Sequence, residues 1–163
     1  MRTIYGSSQK GFTLIELIVT LSVISVLGIL GIAGFVRYNQ VQVLQAAASD
    51  ITTTLNLAKT RSLSQVKLGS SCTSAQTLEG YQVDLSIQAK TYTLSIRCSG
   101  FLSQISSKTI PATISFRTPD TTSTSFFFPI LTGGVVGAGN IVITDGKQDK
   151  IITIDSLGGI SIK

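Results

Sequence analysis

From Phe12 to Val36 the chain reads FTLIELIVTLSVISVLGILGIAGFV, and between Leu17 and Val36 there are 20 residues without a charged side chain. At about 1.5 Å per residue a helix of that length spans about 30 Å, the thickness of a bilayer's hydrocarbon core. The stretch is therefore expected to be a transmembrane helix. Arg2, Lys10 and the amino terminus precede it, and Arg37 is the only basic residue between it and Lys59. This bias puts the amino end in the cytoplasm and everything after Arg37 outside it. A secretory signal peptide shares the basic start and apolar run, but its apolar core is about 7–15 residues long and ends at an A-x-A-like site. The run here is longer and passes without such a site into a polar helical segment, so removal after it is not expected.

The composition agrees with a chain that lives in two solvents. It has 163 residues, 13 basic and 8 acidic, with two cysteines, no histidine and no tryptophan. That is one domain's worth of chain, and a mean hydropathy of +0.40 is too high for a disordered tail and high for a soluble domain. Without histidine the usual zinc ligand, the Ser-His-Asp and Cys-His arrangements and the commonest general base are all missing. No enzyme, cofactor or metal is expected. The basic residues are scattered singly, which is not the footprint of a nucleic-acid-binding face.

After Arg37 the apolar residues thin to a stripe of Val41, Leu44, Ala48, Ile51, Leu55, Ala58 and Ser62, spaced by threes and fours. Asn39, Gln42, Asp50, Thr53, Lys59 and Arg61 lie off it, as on an amphipathic helix. No proline interrupts the chain from Phe12 to Val66, and Leu68-Gly69-Ser70-Ser71 reads as the stop, giving one helix of about 55 residues and on the order of 80 Å. From Leu78 the period changes to two. Tyr81–Ile87 and Tyr92–Cys98 alternate apolar with polar, joined by Gln88-Ala89-Lys90 as a hairpin. Further strands are expected over Ala112–Arg117, Ser125–Ile130, Asn140–Thr144, Lys150–Asp155 and Gly159–Ile162, punctuated by Pro111, Pro119, Gly133–Gly139, Asp145-Gly146 and Gly158-Gly159. The expected fold class is α+β, a long N-terminal helix packed on an antiparallel β-sheet domain, with the helical stripe covering one twisted sheet.

Immediately before the apolar run stands Lys10-Gly11-Phe12-Thr13-Leu14-Ile15-Glu16-Leu17. This resembles the class III signal sequence of type IV pilins and type II secretion pseudopilins. The resemblance implies the pilin fold and cleavage by a prepilin peptidase between Gly11 and Phe12 on the cytoplasmic side. It also implies N-methylation of the new amino group of Phe12. Glycine suits such a cut because it has no side chain to obstruct a protease. The domains expected are a leader over residues 1–11, a transmembrane and assembly helix over 12–36, an amphipathic helix over 37–68 and a β domain over 69–163.

Glu16 is the sharpest single residue, because an acidic group deep in a membrane helix costs about 3 kcal/mol. In the resembling families the glutamate at this place interacts with the amino-terminal nitrogen of a neighbouring subunit, and cleavage after Gly11 creates that cation at Phe12. Paired in a lipid-free filament core, it would fix axial register. The alternative is a glutamate that only favours the helix dipole. Ser22, Ser25, Gly28, Gly31 and Gly34 recur every three residues and so wind around the helix, allowing close approach of several neighbours. The proline that such families often carry nearby, associated with local unwinding, is absent around Ala33. The glycines either lower the cost of unwinding, by roughly 1 kcal/mol each relative to alanine, or are simply tolerated in a membrane helix.

Cys72 and Cys98 are expected to form a disulfide in an extracytoplasmic domain, closing a loop worth about 3 kcal/mol. Asp145 and Asp149 flank a glycine and invite a calcium reading, but an Asp-Gly hairpin turn accounts for them better. Phe126-Phe127-Phe128-Pro129 places aromatics on both faces of one strand, for the core and a subunit contact. Lys147, Lys150 and Lys163 give the weak case for DNA. The carboxy-terminal layout resembles the GspH/FimT group of minor pilins and pseudopilins.

The resulting expectation is a structural filament subunit of a type IV pilus or type II secretion pseudopilus. Its implied partners are the prepilin peptidase, copies of itself or related pilins, the assembly platform and the membrane. The alternative is a DNA-binding minor pilin for natural transformation. Removal of the leader takes Arg2 and Lys10 with it, so the net charge falls from +5 to +3 and the DNA reading weakens.

Overall fold

The computed structural model describes residues 11–69, 72–73 and 75–163, and leaves the side chains of residues 29–31 and 33 undescribed. Residues 1–10 of the expected leader, Ser70 and Ser71 of the expected helix stop, and the side-chain environments of Gly31 and Ala33 lie outside that description. The chain divides into two compact units, Met1–Asn39 and Gln40–Lys163.

A single helix, α1 (Leu14–Leu63), contributes to both units. Its hydrogen-bonded path is continuous through Gly28–Gly34. In the second unit the stripe is realised almost as spaced: Leu44, Ala48, Ile51, Leu55, Ala58 and Ser62 are all at most 1% exposed, while Val41 is only half-buried. The helix stops five residues before the expected Leu68. Gln65 takes a left-handed φ of 51°, its N–H donates to the Ser62 carbonyl at 3.3 Å, and the Val66 N–H donates to Arg61 at 3.1 Å. That is a Schellman ending, usually built on glycine. The Tyr81 hydroxyl then donates to the Val66 carbonyl at 2.5 Å, tying the helix end to the sheet.

The β residues form two four-stranded antiparallel sheets where one twisted sheet was expected. The first has β1 (Leu78–Ser86), β2 (Thr91–Cys98), β3 (Phe101–Thr109) and β5 (Ser125–Pro129), in the order β3-β2-β1-β5. The second has β4 (Ser115–Phe116), β6 (Gly139–Thr144), β7 (Asp149–Ile154) and β8 (Ile160–Ile162), in the order β4-β6-β7-β8. Period-two alternation tells which face of a strand is buried but not which sheet it joins. Both sheets turn their apolar faces to one core with the helix stripe. Across β1 and β5 the fully buried pairs Tyr81 with Phe128 and Val83 with Phe126 stand directly opposite each other, the arrangement in which cross-strand side chains stabilise a sheet most.

Gly80 explains how Phe127 is accommodated on the other face. A Cβ there would lie 2.9 Å from the Phe127 ring and 2.2 Å from the Phe128 carbonyl oxygen. With no side chain in the way, the ring lies across β1 and the Arg97 guanidinium stands over it, 5.1 Å from its centroid. Arg97 also pairs with Glu79 at 3.5 Å.

Candidate functional site

The start of α1 is built for both capping and access. Thr13 is its N-cap: the Thr13 carbonyl accepts from Leu17 N–H at 3.2 Å, and the Thr13 hydroxyl oxygen accepts from Glu16 N–H at 3.3 Å. Thr13-Leu14-Ile15-Glu16 has the residue order of a capping box, a signal the sequence reading passed over. Glu16, exposed in the first turn, favours the positive end of the helix dipole. Gly11 and Phe12 precede the helix and are exposed, and among the described residues nothing lies within 4 Å of the place a Gly11 Cβ would occupy. The Gly11–Phe12 bond is thus outside the hydrogen-bonded helix and open to a protease. Phe12 and Glu16 are four residues apart, about 6 Å along a helix axis.

Beyond the cap the first unit has apolar surface without cover. Among the described residues, fourteen large hydrophobics from Phe12 to Val36 are between 51% and 81% exposed, an apolar surface of the kind that marks an interaction site. The polar groups among them are satisfied within the helix. The hydroxyls of Thr20, Ser22 and Ser25 donate to the carbonyls of Leu17, Val19 and Leu21 at 3.0, 2.8 and 2.8 Å. Among the described residues no helix is long and apolar enough to cross a membrane. The charge-free run from Leu17 to Val36 passes through residues 29–31 and 33, which are not fully described, so the membrane span remains an expectation from the sequence.

The second unit supplies a fixed body. Cys72 and Cys98 are both 1% exposed and joined by a disulfide with 5.9 Å between Cα atoms, linking the segment after α1 to β2. At the opposite end of β2, Asp50 of α1 accepts from the Tyr92 hydroxyl and pairs with Lys108 of β3 at 2.6 Å. Desolvation pushes the Asp50 carboxyl up, but the hydrogen bonds from Lys108 and Tyr92 and the Lys108 charge outweigh it and hold the group below the usual range. Burial, then the hydrogen bond to Asp50 and its charge, push the Tyr92 hydroxyl well above the ordinary tyrosine value. Near the other end, Lys59 Nζ donates to the Gly158 carbonyl at 2.8 Å, clamping the β7–β8 turn to the helix.

The two carboxylates of the calcium reading serve different partners. Asp145 Oδ1 accepts from Lys147 N–H and Gln148 N–H at 2.8 and 2.7 Å, and these backbone bonds hold its carboxyl below the usual range. Asp149 instead pairs with Arg117. Among the described residues no three acidic, cysteine or histidine side chains gather as a metal site. The lysines of the DNA reading are divided too. Lys150 stands opposite buried Ile143 and Lys163 is bonded across to Ile151. Residues 150 and 151 point to opposite faces of β7, so these two lysines do not make one basic face.

Comparison with known proteins agrees with each end of the chain separately. Residues 6–32 match the family model described as the prokaryotic N-terminal methylation motif. No curated protein matches the sequence. Among solved structures the chain is similar to the minor pseudopilin EpsH from the type 2 secretion system of Vibrio cholerae. That similarity has a TM-score of 0.56 at 10% identity and covers 74% of this chain and 95% of that one. The structural likeness carries the fold, a long N-terminal helix packed on antiparallel sheets, and the motif carries the amino-terminal signature of prokaryotic N-terminal methylation.

Proposed function

We propose that the chain is a structural, non-catalytic subunit of a type IV pilus or type II secretion pseudopilus. In this reading a prepilin peptidase cuts between Gly11 and Phe12, and Phe12 is then N-methylated. The mature protein waits in the cytoplasmic membrane with its amino end at the cytoplasmic side, and the assembly platform moves it into a helical filament of itself and related pilins. One observation carries the reading: fourteen large hydrophobics among the described residues are left uncovered directly behind an exposed Gly11–Phe12 bond. Lipid before assembly and neighbouring helices after it would both cover that surface.

Within the filament Glu16 would pair with the Phe12 amine of an adjacent subunit, since an unpaired carboxylate in an apolar core is heavily penalised. The test is co-expression with a prepilin peptidase and intact-mass measurement. The expected product begins at methylated Phe12, and a Gly11→Glu chain stays at full length. Glu16→Ala is expected to be processed but to give few filaments. Processing at another bond, or normal assembly of Glu16→Ala, overturns the corresponding part.

A further inference from the structure

Of the four sheet edges, three are short or covered. β4 and β8 have two and three residues, and β5 is closed by Val136, which exchanges backbone hydrogen bonds with Phe127 at 2.9 and 2.8 Å. The fourth, β3, is nine residues long and, among the described residues, pairs only with β2. Natural edges of that length are usually guarded by proline, free charge or a bulge. β3 has no proline, and its single charge, Lys108, is tied to Asp50. Its one guard is a register shift opposite Leu94 and Ser95 that leaves Ile105 unpaired. Ahead of that irregularity, Phe101–Gln104 is a regular, uncharged free edge carrying two exposed apolar side chains, Phe101 at 73% and Leu102 at 50%.

The hairpin geometry says which backbone groups are free. Ser99 and Gly100 form the two-residue turn, so Cys98 and Phe101 exchange both hydrogen bonds, and the pattern alternates from there. Ser103 therefore faces Ile96, while the N–H and C=O of Leu102 and Gln104 point away from the sheet. We propose that β3 is a homotypic docking edge at which two copies of this chain pair antiparallel about Ser103. Leu102 of each copy would exchange both backbone hydrogen bonds with Gln104 of the other, four bonds in all. The small Ser103 side chains would meet at the close, non-hydrogen-bonded position. The second copy is the fitting occupant because its own β3 is the one long open edge among the described residues, and no charge on Phe101–Gln104 opposes the pairing.

The test uses the full mature chain in detergent. Ser103→Cys is expected to give a disulfide-linked dimer on mild oxidation, because Cα atoms at that position lie about 4.5 Å apart, within disulfide reach. Gln104→Cys, displaced from the two-fold, is expected to give at least tenfold less. Adding Leu102→Pro to Ser103→Cys removes an outward N–H without touching the β2 ladder, so the dimer should fall at least tenfold while the melting temperature stays put. No dimer from Ser103→Cys, equal dimer from Gln104→Cys, or a dimer indifferent to Leu102→Pro overturns the proposal. The last outcome would assign the contact to α1 and leave the filament reading standing.

Discussion

The two units treat the same kind of side chain in opposite ways. In Gln40–Lys163 the large apolar residues Leu55, Tyr81, Phe126, Phe128 and Ile152 have no exposure at all, whereas Ile15, Ile24 and Phe35 of the first unit are 72%, 65% and 70% exposed. Hydrophobic burial is the main driving force for both folding and association. In one unit it has been used for folding, and in the other, on the proposed function, it is left for association. Substitutions should therefore separate cleanly by region.

The largest contrast is between Phe128→Ala and Ile24→Ala. Emptying the Phe128 site should cost about 3–5 kcal/mol of domain stability, read as a large fall in urea midpoint. Ile24→Ala should leave that midpoint unchanged and lower filament yield; a shift in the midpoint would show that the first unit stabilises the second. Next comes the disulfide. Replacing Cys72 and Cys98 by alanine should cost about 3 kcal/mol from loop entropy, with far-ultraviolet helicity kept through Leu63. Gln65→Gly is smaller and of opposite sign, because glycine adopts the left-handed φ of 51° without steric cost; a gain of about 1 kcal/mol is expected.

The smallest effect is the pH dependence of the Asp50 clasp. Its folded pKa is depressed, so its stabilisation is full above the unfolded aspartate value near 4 and is lost as pH falls through the folded value. Asp50→Asn should flatten the drop in urea midpoint between about pH 5 and pH 2, leaving the rest of the profile parallel to the parent.

The sequence was most legible where one period dominates. The helix stripe and the Tyr81–Ile87 and Tyr92–Cys98 hairpin show repeating apolar positions, and their burial follows them closely. β3 was missed because its run of Ser, Gln, Lys and Thr covers an edge with little to bury, so no alternation marks it. The helix stop was placed late because Gln65, not glycine, occupies the left-handed position, and the glycine at 69 drew the boundary toward itself. Two sheets rather than one could not be read at all, since Ile141, Ile143, Ile152 and Ile154 would alternate identically in either arrangement. At the amino-terminal site the motif was legible but not the local capping of the helix. Thr13 as N-cap, and Glu16 as its capping-box partner in sequence, follow from a spacing of three that the long apolar run overshadowed.

The inward-turned hydroxyls of Thr20, Ser22 and Ser25 bear on how such a subunit would travel. Each is already bonded to a carbonyl of its own helix, so moving this segment from fatty-acid chains to packed protein need not exchange a single hydrogen bond at these positions. A passage of that kind has little polar resistance in either direction and can be run forward or backward by whatever machine holds the domain. Glu16 is the exception: its carboxylate would register a change of surroundings, like a latch on an otherwise smooth bolt.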